Sequence, residues 1–198
     1  MGKGLVWDIN TVRLAGVPDG SAPVAIVDIG SNSIRLVIYE GLTRAPYILY
    51  NEKVQVGLGA SVARSGQIST ADLERADGAL RRFRFLADQA GVKTLYALAT
   101  AAAREASNGE YFISMACDLL GSEIRLLSGR EEAHFAALGV KSSFRDPVGV
   151  VGDMGGGSLE LLKLDPEQDG DGITLPLGGL RLVHDSGGNV RKAGNLAR

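Results

Sequence analysis

The sequence predicts an α/β fold: one lobe built on a mixed β-sheet flanked by helices, followed by the opening strands of a second, similar lobe. Three observations predict it. A short pattern occurs first as Val24-Ala-Ile-Val-Asp28-Ile-Gly30-Ser-Asn-Ser33-Ile-Arg35-Leu-Val-Ile38 and again as Val150-Val-Gly-Asp153-Met-Gly155-Gly-Gly-Ser158-Leu-Glu160-Leu-Leu162. Laid over each other without a gap, the copies share Asp-x-Gly-x-x-Ser-[Ile/Leu]-x-Leu, and each reads as a β-hairpin: apolar strand, tight turn, second strand. Between the copies strand-like and helix-like runs alternate, and a repeat so widely spaced fits two related lobes facing each other rather than a solenoid.

The elements follow in order. After the first hairpin, Tyr47-Ile-Leu-Tyr50 and Lys53-Val-Gln-Val56 form a third strand closed by Gly57-Leu-Gly59. Ser69-Thr-Ala-Asp72 resembles a capping box, and Leu73, Ala76, Leu80, Phe83 and Ala87 then fall at helical spacing up to Gly91. Arg81, Arg82 and Arg84 are read as that helix's solvated outer face. Thr94–Leu98 is a strand, Thr100–Ala106 opens a helical stretch, and Asn108 caps a helix over Glu110–Leu120. Glu123–Leu127 is a strand, and Ser128-Gly-Arg-Glu131 caps a helix running towards Phe144. The hairpin of residues 148–164 then repeats, Ile173–Pro176 is its third strand, and Ser186-Gly-Gly-Asn189 caps a helix that has barely begun. The expected division is residues 1–22 as a flexible N-terminal extension, 23–145 as lobe one and 146–198 as an incomplete start of lobe two.

Composition narrows the function classes. With 45% hydrophobic and 22% charged residues over 198 positions, the chain is an ordinary globular protein with a sizeable core. A net charge of −2 gives no footprint of nucleic-acid or membrane-surface binding, so an anionic ligand must be held by local donors. Single Cys117 excludes an internal disulfide and reads as a buried structural thiol. No apolar run approaches membrane-spanning length and no signal-peptide core opens the chain, so the expected compartment is the cytoplasm.

The turns carry the chemistry. Gly30-Ser31-Asn32-Ser33 and Gly155-Gly156-Gly157-Ser158 have no bulky side chain at their tips, so their backbone N–H groups are free to converge on phosphate oxygens, with the serine hydroxyls as further donors. Asp28 and Asp153, just before the turns, are placed to hold a cation or a water. One such turn alone is an ordinary glycine-rich hairpin; two gapless copies favour phosphate binding.

These residues resemble the exopolyphosphatase and guanosine-pentaphosphate phosphohydrolase family of the actin/Hsp70/sugar-kinase superfold, whose lobes are ribonuclease H-like. The matching stretches are Asp28–Ser33, Ala99–Asn108, Ser128–Ala133, Asp153–Glu160 and Leu175–Gly178, in the family's order. The resemblance implies a Mg²⁺-dependent hydrolase that removes the terminal phosphate from polyphosphate or from the guanosine phosphate pppGpp. It implies Glu132 as the catalytic base and Glu160 as the second catalytic carboxylate. It also implies a longer second lobe than residues 146–198 supply.

The residues agree with that division. Glu131 is three positions past Ser128 and suits capping. Glu132 points about 100° round the helix and is left for chemistry, with its charged form favoured by the helix N-terminus. Glu160 stands where Arg35 stands in the first copy, giving the cleft one anionic and one cationic wall, for Mg²⁺ or water and for phosphate. Arg104 is either a bidentate phosphate clamp or a surface helix charge; the resemblance favours the clamp. His134 has no partner in sequence and reads as an ordinary packed or exposed histidine. Two further readings stand beside hydrolysis: an ATP-using kinase or ATPase of the same superfold, and a non-catalytic fragment that binds phosphate chains or a guanosine tetra- or pentaphosphate. A homodimer is expected, because the strands at 148–164 and 173–177 are apolar with no helices following to cover them.

Overall fold

The computed structural model describes residues 22–43 and 45–198; the expected N-terminal extension, up to residue 21, lies outside them. β1 (Val24–Ile29) and β2 (Ser33–Tyr39) form the first hairpin, and β3 (Ile48–Gln55) pairs antiparallel with β2. β4 (Thr94–Ala99) runs parallel to β1 on its other side and β5 (Ile124–Leu126) parallel to β4, giving a mixed sheet of order β3-β2-β1-β4-β5. Register places Asp28 opposite Arg35, and Arg35 opposite Lys53.

Strand alternation decides which side chains reach the core. Ala25, Val27 and Ile29 of β1 and Ile34, Leu36 and Ile38 of β2 are buried in one cluster with α2 (Thr70–Gln89) and α4 (Gly109–Leu120). The helices contribute Leu80, Phe83, Phe112 and Leu120, all fully buried. Asp28 and Arg35 stand on the opposite face. α2 begins where predicted: the Ser69 side chain accepts from the Asp72 N–H, and Gly91 follows the helix with φ 69°. Arg81, Arg82 and Arg84 on its outer face are spent on surface ion pairs, with Asp77, Glu52 and Asp88 respectively. Cys117 is half-buried against the core rather than fully buried.

Two elements differ from the expectation. Gly57-Leu58-Gly59 does more than close β3, for it starts α1 (Leu58–Ser65). Asn108 stands at the start of α4 without capping it; its amide instead accepts from Ile68 N–H at 2.9 Å and donates to Ile68 C=O at 2.9 Å, tying the loop before α2 to α4.

β6 (Gly149–Met154), β7 (Leu159–Leu164) and β8 (Ile173–Leu175) form a second, antiparallel sheet. α6 (Gly179–Ser186) and α7 (Val190–Leu196) follow, α6 unforeseen and α7 capped by Asn189 as expected. The second sheet is covered on one face, by a helix that precedes it: Ala133 and Ala137 of α5 (Gly129–Ser143) pack on Leu162 and Leu164. The other face leaves Val150 69%, Met154 60% and Ile173 51% exposed. Such an apolar sheet face favours association. This chain alone is expected to self-associate with rising concentration in sedimentation velocity; a sharp monomer boundary at all concentrations would contradict that.

Candidate functional site

Both repeat turns close with the same hydrogen bond, Gly30 N–H to Ser33 C=O at 3.0 Å and Gly155 N–H to Ser158 C=O at 2.9 Å. Each turn is then held from behind by the helix that follows its third strand. At the first turn, Ser31 C=O accepts from Gly59 N–H at 2.7 Å, and Asn32 C=O from Val56 and Gly57 N–H at 3.0 and 2.9 Å. At the second, Gly155 C=O accepts from Gly179 N–H at 3.0 Å, and Gly156 C=O from Leu180 N–H at 2.9 Å. Helix N-termini supply unpaired donors, and here α1 and α6 spend them on the turns' carbonyls. Among the described residues, the N–H groups of Ser31, Asn32, Gly156 and Gly157 find no protein acceptor. That is the condition for an anion nest.

The two turns face one another across a cleft of about 760 Å³. They also touch: a Cβ added to Gly157 would stand 3.0 Å from Ser31 Oγ, and one on Gly156 3.2 Å from Ser31 Cβ. Glycine at 156 and 157 is therefore what lets the hairpins meet.

Four carboxylates share this cleft: Asp28, Glu132, Asp153 and Glu160. Register pairs Asp153 with Glu160 as it pairs Asp28 with Arg35, so the copies present an anionic and a cationic partner at matching positions. Burial raises the Asp28 pKa, and the Asp153 charge raises it further against the pull of Arg35 and Lys53. Glu160 is 2% exposed and accepts from Thr174 Oγ1 at 2.8 Å. Space for that threonine comes from Gly129, where a Cβ would overlap the Thr174 side chain.

Glu131 and Glu132 separate cleanly. The Glu131 carboxylate accepts from Ser128 N–H at 2.8 Å in a complete capping box and meets Arg125 at 2.5 Å; the backbone bond foremost lowers its pKa. Glu132 faces the cleft, where burial raises its pKa to about 7; Glu160 and Asp153 add to the rise, and the Arg104 hydrogen bond opposes it. The expectation of a favoured charged form at the helix N-terminus is not met, because burial of the carboxylate favours its neutral form.

Arg104 Nη1 donates to Glu132 Oε1 at 2.7 Å and to the Leu127 carbonyl, so that nitrogen of the guanidinium holds the glutamate. Arg35 Nε donates to Asn51 Oδ1 at 2.9 Å. Among the described residues lining the cleft, neither arginine is present, whereas Asp28, Gly30–Ser33, Asp153–Ser158, Glu132 and Glu160 all are. Lys53, to which the sequence alone assigns no role, also lines the cleft. Gly178, the last residue of a matching stretch, has a clear one: a Cβ there would overlap the backbone of Gly156, Gly157 and Ser158.

Among the described residues no three metal-ligating side chains, and so not Asp28, Asp153 and Glu160 together, gather closely enough to hold a cation by themselves. The Asp153 charge adds to the rise that burial gives the Asp28 pKa, and a cation between the two would relieve that part of it. Mg²⁺ is commonly bound by one or two carboxylates with the substrate's phosphates supplying further ligands.

The sequence pattern of the Ppx/GppA phosphatase family matches residues 24–186. Exopolyphosphatase 1 of Mycobacterium tuberculosis is 28% identical over 165 residues, covering 82% of this chain and 48% of that protein. A bifunctional 3-dehydroquinate synthase/phosphatase of Fusobacterium nucleatum is 31% identical over 170 residues, covering 80% of this chain and 26% of its own length. Among solved structures, an exopolyphosphatase from Cytophaga hutchinsonii superposes with a TM-score of 0.76 at 28% identity, covering 82% of this chain and 53% of its own. The Aquifex aeolicus PPX-GPPA enzyme superposes at 0.72 with 28% identity, covering 88% and 60%. The chain spans about half the length of the mycobacterial relative.

Proposed function

Because the chain belongs to the Ppx/GppA phosphatase family, we propose that it hydrolyses phosphoanhydride bonds, releasing the terminal phosphate of polyphosphate or of pppGpp. The observation that carries this reading is the pair of facing turns with four unpaired N–H groups beside a cleft-facing Glu132. The N–H groups of Ser31, Asn32, Gly156 and Gly157 hold the terminal phosphate, and the hydroxyls of Ser31 and Ser158 supplement them. Preorganised donors of this kind need not reorganise as charge develops.

Glu132 takes the proton of the attacking water on the carboxylate oxygen that Arg104 leaves free. The water oxygen bonds to phosphorus, the bridging P–O bond breaks, and the shortened chain departs with the bridging oxygen. Arg104 is a positioning residue, fixing the Glu132 rotamer through Oε1. Glu160, buried and bonded to Thr174, helps keep Glu132 basic by repulsion. Asp28 and Asp153 would hold Mg²⁺ together with phosphate oxygens, and Glu160 stands beside Asp153 for a bridging water. When bound, the cation neutralises phosphate charge.

The test is orthophosphate release from polyphosphate, pppGpp and ATP in parallel, with and without Mg²⁺. Release from either of the first two, dependent on Mg²⁺, is expected. Release from ATP alone would favour the kinase or ATPase reading, and binding without release the non-catalytic one.

The Glu132 pKa sets the pH dependence. A base acts when deprotonated, and here it is half deprotonated near pH 7. kcat/KM is therefore expected to rise as pH increases through about 7. Arg104 lowers that pKa, so Arg104→Gln is expected to move the rise to higher pH. A profile already flat at pH 6, or one moved to lower pH by the substitution, would contradict the assignment.

A further inference from the structure

We propose that Lys53, beside Arg35, forms a second anion subsite on the outer strands of the first sheet, taking the phosphates behind the terminal one. This deepens the reading above and rests on it. The turns and Asp28 account for the end of a chain, but nothing described so far holds its continuation.

The row Asp28–Arg35–Lys53 runs straight across three neighbouring strands on the face that looks into the cleft. Two inter-strand spacings of about 4.8 Å separate the first member from the last, roughly 10 Å, so a ligand that touches both must extend along the row. Lys53 lines the cleft and has no hydrogen bond or ion pair among the described residues. Its neighbours differ. Glu52, on the opposite face, is taken by Arg82. Arg35 is oriented by Asn51 through Nε, and its Nη groups have no protein partner among the described residues. Asn32 and Gln55 meet at 3.5 Å and join the ledge to the first turn.

The second sheet supplies an internal comparison. Its matching row is Asp153–Glu160–Thr174, with no cation in it. A polyanion leaving the turns therefore meets an anionic and neutral wall on one side and Lys53 on the other, with Arg35 next to it in the row but outside the cleft lining. It is directed along β2 and β3. A lysine on an exposed strand is more often just solvated; what sets Lys53 apart is its place in the cleft lining and in this row.

Chain length is the readout. Orthophosphate ends before Lys53, whereas a chain of three phosphates extends past Asp28. Binding of orthophosphate and of an imido-bridged triphosphate, whose P–N–P links resist hydrolysis, is measured by calorimetry on the full chain and on Lys53→Met and Lys53→Arg. Lys53→Met is expected to weaken the triphosphate about tenfold, the scale of one charge-assisted contact, and to leave orthophosphate unchanged. Lys53→Arg is expected to restore it. Equal triphosphate affinity in Lys53→Met and the unaltered chain, an equal loss for orthophosphate, or no triphosphate binding by the unaltered chain overturns the subsite. A Lys53-dependent affinity in a chain that releases no phosphate would keep the subsite and remove the hydrolase reading.

Discussion

Turnover of phosphate chains is expected to fall by about 10²–10⁴-fold when Glu132 is replaced by Gln, with binding of the chain nearly unchanged. Glutamine keeps the size of the side chain and its acceptor for Arg104, so the bond to Oε1 has a counterpart. It cannot take a proton from water. Burial gives the contrast its size: a glutamate held near pKa 7 is a far better base than one at its ordinary 4.5. Glu131→Gln is the internal control. Glutamine completes a capping box as glutamate does, so that variant loses only the charge paired with Arg125 and is expected to keep most of its rate. Single-turnover phosphate release with tripolyphosphate on both variants decides it. If the two lose rate alike, or if Glu131→Gln is worse, Glu132 is not the base and Glu160 takes its place.

The repeat made the architecture legible because period-two alternation around an Asp-x-Gly turn constrains a hairpin whatever surrounds it. β1, β2, β6 and β7 lie where the two copies put them. The N-caps were equally local: Ser69 and Ser128 each accept from the N–H three residues on, and Glu131 completes a capping box at Ser128. What escaped was set by tertiary contact. α1 and α6 are eight residues each, and both begin by donating their first N–H groups to a turn that lies elsewhere in the chain. Both carry apolar residues at helical spacing, but over eight residues each that is only about two turns. The coverage of the second sheet escaped for the same reason, since α5 packs on strands that come after it.

The site divides along the same line. Which residues gather was readable from the two copies and the glutamate pair. How Arg104 is used was not, because its partners Leu127 and Glu132 lie 23 and 28 positions away. The Glu132 pKa was misjudged because a helix terminus can be seen in sequence, whereas burial beside two other carboxylates cannot. Lys53 had one available signal: it falls on the same strand face as Asp28 and Arg35 once the pairing register is drawn.

Gly178→Ala is expected to damage the site strongly with a single added methyl group. Gly178 precedes α6, and the Cβ it lacks would occupy the space of the Gly156 and Gly157 carbonyl carbons and the Ser158 nitrogen. Those atoms are backbone, so no side chain can swing aside. Either α6 retreats, releasing Gly155 and Gly156 carbonyls from the N–H groups of Gly179 and Leu180, or the turn itself shifts. Overpacking costs about 1–3 kcal/mol in stability. The larger effect is on rate: a displacement of about 1 Å at a positioned phosphate typically costs on the order of 10²-fold. Gly179→Ala is the matched control, one residue on, where an added Cβ meets nothing within 4 Å. The expected result is a loss of phosphate release and of triphosphate affinity in Gly178→Ala, with Gly179→Ala close to the unaltered chain in both. Equal activity in the two variants would mean that the second turn does not need its present position to work, and that the facing turns are not what binds the phosphate.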